Sequence, residues 1–188
     1  MISDFGITIY DLWQSIGFRF YYLNSYLSWY KDFIMKPLIV LLIASVGVLL
    51  ITHAISGGWD YVIAGNLGMA ATLVFTAVGH FIYSQGMMLM VPSFIPGKRT
   101  LIYTTGVMEA LFAIGLCIPS TRRLSADLLI LFFLLILPAN INAAQKSVDY
   151  QTATYEGRGI SYLWLRIPMQ IFFIAWVAYF GLIMVEVE

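Results

Sequence analysis

Five apolar runs, near 37 to 55, 65 to 83, 101 to 118, 124 to 143 and 164 to 184, constrain this chain more than any other feature. Each is long enough, or nearly so, to cross a hydrocarbon core of about 30 Å, which takes roughly 20 helical residues. Backbone polar groups in lipid must be satisfied within the segment, so each run reads as a helix. Composition agrees: 61% of the 188 residues are hydrophobic and 11% charged, more apolar than a soluble surface accommodates. The expected fold class is an all-α membrane protein. The connections from Ser56 to Ala64 and the tight turn from Pro119 to Arg123 are short enough to allow only antiparallel neighbours. They pair the first run with the second and the third with the fourth.

Ten basic and ten acidic residues give a net charge of zero and no electrostatic case for nucleic acid as a partner. The basic residues mark topology instead. Arg19, Lys31, Lys36, Lys98, Arg99, Lys146, Arg158 and Arg166 fall at one membrane face, and only Arg122 and Arg123 at the other. The positive-inside rule then puts the N-terminus in the cytoplasm, and an odd number of spans leaves the C-terminus, with Glu186 and Glu188, outside. A single cysteine, Cys117, excludes an intrachain disulfide and any cysteine-rich metal or cluster site.

Residues 1 to 36 carry many aromatics, interrupted by Asp11, Arg19 and Asp32, and lack a signal-peptide pattern. Ile9, Leu12, Ile16, Phe20, Leu23, Leu27, Tyr30 and Ile34 recur at three- and four-residue steps, the spacing of one helical face. An amphipathic arm lying in the headgroup plane fits this pattern; a helix packed on the protein's own flank fits it equally.

Within the third run stands Glu109, with about eight apolar-run residues before it and about nine after it, hence near mid-membrane. A charged acid there costs on the order of 2.5 to 3.5 kcal/mol on insertion scales, so it must be protonated, paired or facing a wet interior. Gly106 and Ala113 lie within about 60° of it on the helix, which turns it toward a closely approaching neighbour. Counting depth from the cytoplasmic ends brings other polar residues to the same side. His80 lies about three residues from the inner end of the second run, Asn140 about four from that of the fourth, and Arg166 a few residues into the fifth. Gln170 is one turn deeper. An arginine stem can reach along the helix, so an ion pair between Arg166 and Glu109 is open. Pro138 adds a polar group, because it leaves the Leu134 carbonyl without its helical donor. His80, Glu109, Asn140, Arg166 and Gln170 are therefore the candidate cluster. Polar side chains between membrane helices also bond to one another with no ligand involved, and each residue taken singly fits that structural role. Asn142, offset by 200° from Asn140, points elsewhere, and Asp127 sits near the outer end of its helix.

Between the second and third runs, Gly86 to Gly97 is Met-rich, broken by Pro92 and Pro96, and too short to span. It reads either as a lid over the polar cluster or as a connector resting in the interface. Phosphate-binding glycine loops, metal-protease helices, nucleophile elbows and paired-cysteine motifs are absent, and no metal site is indicated. His53 and His80 fall near opposite ends of their helices, too far apart to share a haem.

A resemblance is carried by Gly79-His80-Phe81, by Met90-Val91-Pro92 with Ile95-Pro96, by Thr105-Gly106-Val107-Met108-Glu109, by Ile118-Pro119 with Thr121-Arg122-Arg123, and by Leu137-Pro138-Ala139-Asn140-Ile141. In order and spacing these resemble the DoxX-like membrane protein family over roughly residues 70 to 184. The resemblance implies a four-helix module of the bacterial inner membrane, with some relatives tied to quinone-linked or sulfur-linked redox systems. It places His80, Glu109, Pro138 and Asn140 at family motif positions. The expected organisation is then an arm over 1 to 36, an extra transmembrane helix over 37 to 55, and an antiparallel four-helix module over 65 to 188.

Function is read in three ways. The first is a binding or accessory subunit embedded in the bilayer, whose cluster takes a small apolar molecule such as a quinone or which docks a redox-protein partner. The second is a self-contained membrane enzyme with Glu109 as acid or base and His80 as relay. The third is a small proton-coupled transporter, weakened by the absence of an inverted repeat. No residue here sets the oligomeric state.

Overall fold

The computed structural model describes residues 36 to 186. Apart from Lys36, the arm read over 1 to 36 lies outside the described residues, as does Glu188. The described chain is helical: α1 (Lys36–Ser56), α2 (Tyr61–Ile82), α3 (Ser84–Met90), α4 (Lys98–Cys117), α5 (Pro119–Gln145) and α6 (Leu163–Ala178). A 3₁₀ turn, Gly159–Tyr162, leads into α6, and a π turn, Tyr179–Ile183, continues it. α1, α2, α4, α5 and the segment Gly159–Ile183 are long and apolar enough to cross a membrane. They fit an integral membrane helical protein, and large apolar side chains such as Ile43, Ile114, Leu131, Leu135 and Ile171 point outward from them.

Local chemistry explains the helix ends. Asp60 accepts a hydrogen bond from the Ile63 amide at 2.8 Å, so α2 starts at Tyr61, four residues before the apolar run does. The expected turn from Pro119 to Arg123 is instead the first turn of α5, because proline at a first helical position lacks only an amide hydrogen that has no partner there anyway. Ile118 alone breaks the path between α4 and α5. The last carbonyls of α4 find donors in that first turn: Thr121 Oγ1 donates to Gly115 O at 3.0 Å and Arg122 Nε to Leu116 O at 3.1 Å. Arg122 is thereby buried with a structural role.

The most extensive packing is α2 against α4, not the first helix against the second. α1 buries only Pro37, Leu41 and Ser45, a stripe at four-residue spacing, and meets α2 where Ser45 and the Leu41 carbonyl lie over Gly68. The α2–α4 approach is closer, with Gly106 directly under the His80 Cβ. Aromatic rings join the other helices: Phe112 on α4 touches Phe132 on α5, Phe133 touches Phe173 on α6, and Phe172 leads through Trp176 to Phe180. At the far end of α6 the π turn frees the Phe180 carbonyl, which accepts from Asn66 Nδ2 at 2.8 Å. Trp176 Nε1 donates to Gly65 O at 3.0 Å, with Gly65 bare beneath the Phe180 ring.

Candidate polar site between the helices

One half of the site belongs to α2 and α4. Glu109, on α4, is 4% exposed, and its Oε2 lies 3.4 Å from Nδ1 of His80 on α2. His80 Nδ1 also faces Thr76 O at 3.0 Å. A carbonyl only accepts, so the ring hydrogen sits on Nδ1, and the Glu109 carboxyl stands beside it at a distance long for a hydrogen bond. Counting depth from helix ends separates these two residues. They meet because α4 begins at Lys98 and continues past the end of α2, where Tyr103 packs on Phe81 and α3 covers the flank.

The other half belongs to α5 and α6. Tyr162 donates its hydroxyl to Asn140 Oδ1 at 3.3 Å, and Gln170 Nε2 donates to Phe133 O. Tyr162, Arg166 and Gln170 follow one another at four-residue steps, so they form one stripe of the 3₁₀ turn and α6. The contacts at its two ends place Arg166 against the interval of α5 from Phe133 to Asn140, which remains helical through Pro138. The ion pair expected between Arg166 and Glu109 does not form. Glu109 is turned to α2 and contacts His80, whereas the Arg166 stripe is turned to α5; among the described residues none pairs with Arg166, whose Nε is buried without a partner.

Four of the five candidate residues share one condition. Glu109 Oε2, Asn140 Nδ2, Arg166 Nε and Gln170 Oε1 are all buried without a hydrogen-bond partner. Ser45 Oγ and His53 Nδ1 share it but stand apart on α1, where His53 stacks on Trp59. Such atoms in a native interior are the exception, and in lipid each is more costly than in water. Among the described residues no group of three or more His, Cys, Asp or Glu stands together to hold a metal ion.

The loop from 146 to 158 closes this end. Asp149 Oδ1 accepts from the amides of Gln151 and Thr152, and Asp149 bridges to Thr154. Tyr150 sits at its tip, and burial holds its phenol above the usual tyrosine range. Its backbone is pressed against Gly86 of α3, where an added Cβ would fall 1.9 Å from the Tyr150 carbonyl oxygen. Asn142, which the helical offset turns away from Asn140, donates to Met90 O at 2.6 Å and fastens the other end of α3. Lys98 Nζ donates to Val91 O at 2.9 Å. The Met-rich segment is thus helical only as far as Met90, non-helical from 91 to 97, and pinned at three points. Tyr150, Tyr162 and Thr76 escape a sequence reading; Tyr162 alone left a signal, its four-residue spacing from Arg166.

Residues 69–180 match a family described as a domain of unknown function, DUF8561. The chain belongs to this family. The DUF8561 match starts in α2 and ends in the π turn, so it contains all five candidate residues together with Tyr150 and Tyr162, and leaves α1 outside. No curated protein and no solved structure matches the chain.

Proposed function

We propose that this protein is a membrane-embedded binding or accessory subunit, with its helices forming an antiparallel bundle and the polar end of a small apolar molecule received among His80, Glu109, Asn140, Arg166 and Gln170. One observation carries the reading: three of these five side chains, Asn140, Arg166 and Gln170, keep a buried polar atom without a protein partner. A ligand that supplies partners to such buried groups gains on the order of 1 to 3 kcal/mol for each. A quinone and a redox-protein partner follow from the DoxX-like resemblance and are proposed on that basis alone. The bacterial inner membrane, with the N-terminus cytoplasmic and the C-terminus outside, is proposed from the same resemblance and from the basic-residue asymmetry.

The test is extraction of the detergent-purified chain with organic solvent and mass spectrometry of the extract. The expected result is about one small amphiphile per chain, lost when Asn140→Leu and Gln170→Leu are combined. An extract holding only bulk lipid, with no thermal stabilisation by added quinone or other amphiphiles, refutes the reading; a ligand at about 100 times its Kd adds about 2.7 kcal/mol. A catalytic reading is favoured by one contact, the buried Glu109–His80 pair at 3.4 Å, and turnover by the pure chain is its test.

A further inference from the structure

We propose that the ligand's polar end is an oxyanion, a carboxylate or phosphate on an amphiphile, received by Arg166 and Asn140 where α6 and its leading turn meet α5 between Phe133 and Asn140. The inference rests on the ligand-site reading above and adds the chemistry of the head group. Arginine stays ionised at every accessible pH, so its environment must supply the counter-charge. Among the described residues nothing supplies it: no carboxylate lies within ion-pair distance of Arg166, and its Nε is buried without a partner. Glu109 stands against His80 instead.

The neighbouring open group has the same polarity. Asn140 is 3% exposed, and its Oδ1 already accepts the Tyr162 hydroxyl. What remains is Nδ2, which can only donate and has no acceptor. Tyr162 and Arg166 are one turn apart on the same stripe, so the Asn140 amide and the guanidinium edge stand along one seam between α5 and α6. Two unpartnered donors, one of them a fixed cation, select an oxygen that carries negative charge. A neutral carbonyl would satisfy the hydrogen bonds and leave the guanidinium charge uncompensated in a low-dielectric setting. The large apolar side chains flanking the seam outside, Leu134 and Leu135, fit a hydrocarbon tail.

Two sources share this chemistry, a free long-chain carboxylate and the head group of an anionic phospholipid. The experiment measures binding to the full chain in neutral detergent for oleate against oleyl alcohol, and in nanodiscs for phosphatidylglycerol against phosphatidylcholine. At least one anionic member should bind about tenfold or more tightly than its neutral counterpart, and which one does so names the source. Arg166→Lys should keep most of that preference, and Arg166→Gln should abolish it. The ligand-free Arg166→Gln protein should melt no lower than the native one, because the substitution removes an uncompensated charge. Equal binding of neutral and anionic members, or a preference that survives Arg166→Gln, overturns the oxyanion and leaves the ligand site standing. No binding by any of the four overturns both.

Discussion

The contact between Glu109 and His80 should show as thermodynamic coupling, and the magnitude follows from its geometry. At 3.4 Å, two unit charges attract by about 5 kcal/mol at an effective dielectric near 20. Desolvation of a side chain only 4% exposed consumes much of that gross figure. If both groups are neutral, the contact is an ordinary hydrogen bond of about 0.5 to 1.5 kcal/mol. A double-mutant cycle with Glu109→Gln and His80→Gln should therefore give a coupling of about 1 to 3 kcal/mol. The parallel cycle of Glu109→Gln with Arg166→Gln should give less than about 0.5 kcal/mol, since those residues form no ion pair. The assay is reversible unfolding in mixed micelles, with the single and double variants measured at one pH and one lipid composition. Coupling to Arg166 that equals or exceeds coupling to His80 would refute the assignment of Glu109 to the α2–α4 half. Strictly additive losses at His80 would reduce the contact to mere proximity.

Gly86→Ala should destabilise the protein by about 1 to 3 kcal/mol, because its Cβ would fall 1.9 Å from a backbone oxygen that cannot rotate away, whereas Gly79→Ala, with nothing within 4 Å, should be close to neutral. Thermal melts of the two variants decide this, and equal effects would contradict the pinning of α3. Asn66→Ala should cost about 1 to 2 kcal/mol by removing the donor to the Phe180 carbonyl that the π turn exposes, and a neutral result would mean that lipid or water replaces it. The Tyr150 phenol, held above the usual range by burial, keeps its proton in the folded chain after the unfolded chain has lost its own near pH 10. The folded state then binds more protons, so stability falls as pH rises above about 10, and Tyr150→Phe should flatten that fall in unfolding measured from pH 8 to 11.5.

The spanning helices were legible because the bilayer imposes one length and one polarity on any segment that crosses it, and runs such as 37 to 55 and 124 to 143 could have no other use. Glu109 stood out for the same reason, as a carboxylate within an apolar run, and its burial follows from Gly106 and Ala113 on the same side. The choice of its partner was not legible. Counting residues from helix ends assumes that all helices begin at one plane, and α4 does not, since it starts at Lys98 and passes the end of α2. The partner of Asn142 was hidden for a related reason: its helical offset does turn it away from Asn140, but only the folded path of α3 brings the Met90 carbonyl to meet it. Tyr150 lay in a stretch with no periodicity, where an Asx turn at Asp149 and the bare backbone of Gly86 decide its place. By itself the sequence determined which segments are helices long and apolar enough to cross a membrane and which polar residues they carry, because hydrophobicity and the 3.6-residue period act locally along the chain. Only the tertiary structure decided that Glu109 goes to His80 while Arg166 faces α5 with no acid among the described residues, because those choices depend on helix stagger and rotation, which are set by close contacts at Gly106 and along the aromatic seam.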